Sequence, residues 1–239
     1  MKKGFIFCLL TIMLLSFLSS CQSSNTAEKS SPSQTQSKIT DSLTLLKTVA
    51  KSGDLVTRLG DDFLSHQIRY MSQQDPSFSH VGIVVKKDGE TLVCHIYPDT
   101  NGGDTVRYEP VDSFLNPQKN LSCALFRYNF SEPEAAAFVK TLDSFAKHGV
   151  RFDKLYDLSS NEVYCSEMIY KSLVKATNGR LSPELTSPPK NMLPLLMKYF
   201  AKEKPTEKQI AERRFVSIDK LYLMPECNHI LSFKLQSVE

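Results

Sequence analysis

A β-hairpin signal limits the fold of this chain more than any other stretch. Residues 79–85 are mostly apolar and β-branched, and residues 91–97 alternate behind the turn dipeptide Asp88-Gly89. Because side chains of a strand point alternately to its two sides, the second strand has two faces. One face carries Leu92, Cys94 and Ile96, and the other carries Val93, His95 and Tyr97. An antiparallel sheet is therefore the expected centre of the fold.

The remaining elements complete an α+β pattern. Helices are predicted over residues 39–52, 63–71, 131–148, 165–176 and 195–201. Further strands are predicted over residues 55–59, 105–109, 121–128, 216–224 and 230–235. Residues 202–214 are highly charged and are expected to be solvated. We expect one α+β domain, residues 39–239, with a central antiparallel sheet.

The N-terminus has the features of an export signal. Lys2 and Lys3 precede an apolar run over residues 4–18, which is short for a membrane-spanning helix. The following Leu18-Ser19-Ser20-Cys21 resembles the bacterial lipobox, which implies a signal peptide over residues 1–20 and lipidation of Cys21. Gln22 after the cysteine implies an outer-membrane location if the cell has that membrane. An ordinary signal peptide cut elsewhere, or an uncleaved anchor, is the alternative.

Composition narrows the functional classes. Residues 21–38 are rich in Ser, Thr, Gln and Asn, as in a flexible tether. Without its leader the chain has 29 minus 2, or 27, basic residues against 26 acidic ones. This balance argues against electrostatic capture of nucleic acid. Four cysteines remain, and their wide spacing disfavours a disulfide scaffold or a zinc knuckle, although a disulfide among Cys94, Cys123 and Cys227 stays open.

Cys165 is the candidate nucleophile. Apolar residues recur from Cys165 to Ala176 at helical spacing, so this cysteine falls in the first turn of a helix. Free N–H groups and the positive end of the helix dipole favour an anion there, and they are expected to shift the thiol toward thiolate. The alternative is a small buried cysteine on the core face of the helix.

Two histidines of the hairpin can serve this thiol. His80 enters a strand among apolar residues, where an imidazole needs a specific partner. His95, on the next strand, can lie across from it and bond its second ring nitrogen. The alternatives are a core histidine for His80 and an ordinary cross-strand surface residue for His95. His66 and His148 lie in surface or helix-end contexts and His229 in a predicted turn.

Three short motifs together resemble a known family. They are Gly-Asp-Leu-Val at residues 53–56, Ser-His-Val-Gly-Ile-Val at residues 79–84, and Tyr-Cys-Ser-Glu at residues 164–167. They are similar to the permuted branch of the NlpC-type papain-like cysteine hydrolases, which includes YaeF/YiiX-like proteins. In this branch the histidine strand precedes the cysteine helix, as His80 precedes Cys165 here by 85 residues (165 minus 80). The resemblance spans residues 53–176 and implies a permuted papain-like fold with the nucleophile helix packed against the sheet.

The resemblance also implies roles for individual residues. Cys165 would be the nucleophile and His80 the general base. The third position, where many relatives carry Glu, matches His95, which leaves Glu109 and Asp99 as alternative orienting groups. The backbone N–H of Cys165 would be the first oxyanion donor, with the Tyr164 hydroxyl as a second. Glu167 is expected to cap the helix or form an ion pair.

The resulting expectation is a lipid-anchored hydrolase of the bacterial cell envelope. It would cleave an amide bond, with cell-wall peptide as the leading substrate, through an acyl-enzyme and with no metal or cofactor. One alternative is an ester or thioester lipid hydrolase or acyltransferase on the same fold. Another is a binding lipoprotein without catalytic turnover.

Overall fold

Residues 32–98 and 103–236 are described by a computed structural model. The leader, the lipidation residue Cys21 and the alternative orienting residue Asp99 lie outside these ranges. Within them, no helix combines the length and hydrophobicity that crossing a bilayer requires.

The elements alternate between helices and strands along the chain. The helices are α1 (Pro32–Val49), α2 (Phe63–Ile68), α3 (Val111–Phe114), α4 (Glu132–Lys147), α5 (Cys165–Ala176), α6 (Leu193–Tyr199), α7 (Glu207–Ala211) and α8 (Ile218–Tyr222). The strands are β1 (Leu55–Gly60), β2 (His80–Lys87), β3 (Glu90–His95), β4 (Arg107–Pro110), β5 (Asn120–Tyr128) and β6 (Cys227–Lys234).

These strands form one antiparallel sheet in the order β4-β3-β2-β1-β5-β6. The predicted hairpin is confirmed, since β2 and β3 pair from Ile83 with Cys94 to Lys87 with Glu90. His80 begins β2 and His95 ends β3, so both histidines lie at the end of the sheet away from the turn.

Each face of the sheet is covered by helices. On the first face, Val81 and Ile83 of β2 pack with Met168 and Ile169 of α5, together with side chains of α4 and α8. On the second face, apolar side chains of α1 and α3 cover the sheet, and Phe114 is a fully buried member of that layer. The α+β domain with a central antiparallel sheet and the cysteine helix packed against it is confirmed.

The C-terminal part departs from the predicted elements. Residues 216–224 were expected as a strand, but residues 218–222 form α8, whose Ile218, Leu221 and Tyr222 are buried. The three-and-four spacing of these residues is that of a helix face, whereas alternation holds only over its first residues. His229 lies in β6 rather than in a turn. Residues 202–214 are not wholly solvated, because α7 buries Ile210 completely.

The first helix also differs from its prediction. It begins at Pro32, seven residues before the predicted start at residue 39, so part of the expected tether is helical. The four cysteines in the described ranges, Cys94, Cys123, Cys165 and Cys227, are free thiols.

Candidate active site

Cys165 is the first residue of α5, as predicted, and several contacts fix this end of the helix. The backbone N–H of Tyr164, the residue before the helix, donates to Glu167 Oε2 at 3.2 Å. Glu167 Oε1 lies 2.8 Å from Lys171 Nζ, so Glu167 caps the helix and forms an ion pair, as expected. The Ser166 hydroxyl donates to the Val216 carbonyl at 2.7 Å. The nucleophile candidate therefore sits on a firmly held helix start.

The sulfur of Cys165 lies at the beginning of β2. It accepts hydrogen bonds from backbone N–H groups, including that of Val81, whose peptide bond joins it to His80. Burial nevertheless raises the pKa of the Cys165 thiol to about 11, although the backbone donors oppose that shift. The expectation that the helix start shifts this thiol toward thiolate is therefore wrong for the free protein, because desolvation outweighs the donors.

His80 precedes Val81 in the chain, and its ring contacts the second histidine. Its Nε2 is 3.0 Å from Nδ1 of His95. Its ring also packs against Phe114, with centroids 5.6 Å apart, and against Tyr97 at 6.3 Å. Burial lowers the pKa of His80 well below its ordinary value, and the charge of Arg58 lowers it further.

His95 connects His80 to a carboxylate. Its side chain is fully buried, and its Nε2 lies 3.2 Å from Glu109 Oε2. Burial lowers the pKa of His95, while the contact with Glu109 opposes the shift. Burial alone would raise the pKa of Glu109, but the contact with His95 and two arginine charges bring it below its ordinary value. His80, His95 and Glu109 thus follow one another in a single chain of contacts, which we call the histidine network. Two of the alternative orienting groups for His80, namely His95 and Glu109, belong to it.

The thiol and the imidazoles approach from different sides of the sheet. The α5 helix packs on the first face with Val81, whereas His80 contacts Phe114 on the second face. At the end of the sheet the sulfur reaches the backbone N–H of Val81, in the peptide bond that joins Val81 to His80. This position leaves Nδ1 of His80 as the ring nitrogen that His95 does not occupy.

Tyr164 lies in a different environment from the one expected of an oxyanion donor. Its side chain is buried, and its hydroxyl accepts a hydrogen bond from the Val216 N–H at 2.8 Å. Its ring packs against Tyr156, with centroids 4.8 Å apart. These contacts favour a structural role, and the oxyanion role stays a prediction.

Arg58, a residue near the site, was missed by sequence reasoning. Arg58 pairs with His80 across β1 and β2, and it interrupts an otherwise mostly apolar strand, which was the available signal. Tyr156 adopts a left-handed backbone with φ of 52°, which is unfavourable for a residue with a large side chain.

No group of three His, Cys, Asp or Glu side chains in the described ranges is arranged to hold a metal ion.

Comparison with known proteins identifies the family. Residues 49–208 match the model of the permuted papain-like amidase enzymes, the YaeF/YiiX or C92 family. A crystal structure of a protein described as the metalloprotein YiiX from Escherichia coli O157:H7 has a similar fold, with a TM-score of 0.60 and 17% sequence identity. The similarity covers 76% of this chain and 96% of that one. A search among curated proteins found no matching sequence.

The family match covers more than half of the chain, and the structural similarity confirms the permuted papain-like fold. The family match also establishes the general activity as that of a cysteine hydrolase or amidase. The order of the motifs, with the histidine strand before the cysteine helix, agrees with the permuted arrangement. The chain belongs to the family of permuted papain-like amidases that includes YaeF and YiiX.

Proposed function

We propose that this amidase uses Cys165 as its nucleophile and His80 as its general base, and that it acts in the bacterial cell envelope. One observation carries the assignment of residues. The sulfur reaches the peptide between His80 and Val81, and His80, His95 and Glu109 follow one another at 3.0 and 3.2 Å.

The network determines which nitrogen of His80 is basic. An ionised Glu109 can only accept a hydrogen bond, so a neutral His95 that donates to it across the 3.2 Å contact carries its proton on Nε2. Nδ1 of His95 then carries a lone pair and accepts the Nε2–H of His80. Nδ1 of His80 is left unprotonated, which is the state that a base for the Cys165 thiol requires.

The proposed reaction starts from an uncharged pair. The pKa of the thiol is raised and that of His80 is lowered, so both groups are neutral near pH 7. The proton therefore moves from Sγ to Nδ1 of His80 as the sulfur attacks the carbonyl carbon. N–H groups at the start of α5 are the nearest candidates to stabilise the resulting oxyanion.

His80 then gives its proton to the leaving amine as the C–N bond breaks, which leaves a thioester on Cys165. Water attacks this acyl-enzyme, with His80 again acting as base, and releases the carboxylic acid. The imidazolium formed in each step faces His95 and, through it, the negative charge of Glu109.

The leading substrate is a peptide amide of the cell wall. The proposed lipid on Cys21 would hold the domain at a membrane, outer if the cell has one, where wall peptide is within reach. Support comes from the N-terminal pattern of the sequence together with the amidase family. Lipid acyl groups at the same membrane remain the alternative substrate.

Thiol labelling tests the assignment of residues. Cys227 is also partly exposed and provides an internal reference. We expect iodoacetamide to modify Cys165 faster than Cys227 at pH 7, because the proposed base His80 takes the proton of Cys165. His80→Ala should slow labelling of Cys165 alone, whereas His148→Ala, at the exposed end of α4, should change neither rate. Equal reactivity of the two cysteines would end the assignment.

A second experiment separates the substrates. Protein lacking residues 1–21 is incubated with wall peptides and with phospholipid vesicles, and a Cys165→Ala variant serves as the control. New amino groups from wall peptides alone support the amidase on cell wall. Release of fatty acid alone would show that the substrate is a lipid and not wall peptide. If neither wall peptides nor vesicles give a product, a binding lipoprotein without turnover is favoured.

A further inference from the structure

Arg58 is a partly buried charge beside the proposed base, and the reaction above gives it no role. It lies in β1 directly opposite His80 in β2. Directly opposite residues of an antiparallel pair project from the same face, with Cβ atoms about 4.5–5.5 Å apart. The register of β1 with β2 therefore places the side chain of Arg58 next to that of His80.

Its side chain is held in one place. Nη1 donates to the Phe114 carbonyl at 2.9 Å and to Asn120 Oδ1 at 3.2 Å. Cζ lies 4.6 Å above the Phe114 ring. The same ring contacts His80 and His95, with centroid distances of 5.6 and 5.0 Å. The Phe114 ring thus contacts the guanidinium of Arg58 and the imidazoles of His80 and His95.

The charge of Arg58 is not neutralised by these bonds. Both acceptors are uncharged, and a guanidinium stays protonated in proteins. A positive charge beside an imidazole opposes protonation of that ring. After burial, Arg58 is the largest cause of the lowered pKa of His80, and it also lowers that of His95.

We propose that Arg58 is a positioning residue that keeps both imidazoles of the histidine network uncharged, so that His80 remains available as a base. The inference rests on the proposed role of His80.

Other charged and titratable groups face the same pair. Arg107 of β4 acts in the same direction as Arg58 on both rings, whereas Glu109 of the same strand opposes them at His95. Glu109 and Asp62 are the acidic groups that interact with Arg58 itself. Tyr97 packs beside both rings, and Cys165 reaches the site from α5. Arg58 differs from Arg107 in lying on the neighbouring strand, directly opposite His80.

The test is a titration of the imidazoles by ¹H–¹⁵N NMR on the full chain. Arg58→Gln and Arg58→Met remove the charge, and Met keeps an unbranched stem against Phe114. Arg58→Lys keeps the charge without the planar fork. Arg180→Gln, which removes an arginine paired with Glu134 on the exposed surface, is the matched control.

We expect the protonation midpoints of His80 and His95 to move to higher pH in both neutral variants. The Lys variant should remain closer to the wild type, and the control should not move. A purely structural Arg58 would lower the melting temperature without moving the midpoints of the folded protein, and that result would overturn the inference. Because NMR reads the charge of the ring whether or not Cys165 reacts, this failure is distinct from failure of the proposed function.

Discussion

Replacing Glu109 by Gln tests whether the histidine network sets the state of the base. A carboxamide can donate a hydrogen bond as well as accept one, so it no longer forces His95 to carry its proton on Nε2. If His95 takes the other tautomer, its Nδ1–H points at His80 Nε2, and Nδ1 of His80 becomes protonated. His80 then has no lone pair for the Cys165 thiol.

The size of the effect follows from the contact that is lost. Hydrogen bonds to charged groups contribute about 1.5–3 kcal/mol. At 1.36 kcal/mol for each factor of ten, this corresponds to a loss of roughly 10- to 160-fold in the rate of Cys165 modification. His95 Nε2 and Glu109 Oε2 are 3.2 Å apart, which is an ion-pair distance, but the N–H of His95 is not aligned with this oxygen as in a regular hydrogen bond.

The assay combines a rate with a direct view of the tautomer. Iodoacetamide modification of Cys165 is followed by peptide mass spectrometry, and ¹⁵N shifts report which nitrogen of each imidazole carries the proton. Glu90→Gln is the matched control, because Glu90 is an exposed residue at the turn end of β3. A rate within twofold of the wild type, with Nδ1 of His80 still unprotonated, would refute the reasoning.

Three further substitutions address how the site is held. Ser166→Ala leaves the buried Val216 carbonyl without its side-chain donor and should lower the free energy of unfolding by about 1–3 kcal/mol in urea denaturation. Gly82→Ala places a Cβ 2.4 Å from Cγ1 of Val93, and the overpacking should cost about 1–3 kcal/mol in the same assay. Burial raises the pKa of Glu167 from 4.5 to about 7. Between these two pH values the folded protein therefore binds more protons than the unfolded one. The contribution of Glu167 to stability falls as the pH rises through this window. The wild type should therefore lose stability relative to Glu167→Gln between pH 4.5 and 7, by at most roughly 3 kcal/mol (7 minus 4.5, at 1.36 kcal/mol per pH unit).

Each of these expectations has a contrary result. An unchanged urea midpoint for Ser166→Ala would mean that water replaces the hydroxyl at this buried carbonyl. A Gly82→Ala protein as stable as the wild type would show that β2 and β3 can separate without cost. A stability difference between the wild type and Glu167→Gln that is constant from pH 4.5 to 7 would contradict the raised pKa.

Local signals account for the parts of the fold that the sequence predicted. The hairpin follows from alternation on both sides of Asp88-Gly89, and the α5 helix follows from apolar spacing after Cys165. For α8 the local pattern favours a strand, because Val216 and Ile218 alternate with polar neighbours. Its helical state depends on packing against the sheet, which no short window contains.

The sequence also predicted part of the candidate site. Cys165 and His80 could be selected from their motifs and His95 from its place across the hairpin, and the structure brings one nitrogen of each histidine ring within 3.0 Å of the other. The joint use of His95 and Glu109 depends on the register of β3 with β4, and the place of Arg58 depends on the register of β1 with β2. The raised pKa of the thiol depends on burial by distant parts of the chain, which overrides the local effect of the helix start.

Trapping the acyl-enzyme tests the central proposal most directly. The protein is mixed with an activated acyl ester, quenched with acid within the first turnover and mapped by mass spectrometry. We predict one added acyl group on the peptide that contains Cys165, absent in Cys165→Ala and formed more slowly in His80→Ala. An acyl group on another residue, or the same labelling in Cys165→Ala, would contradict the assignment of the nucleophile.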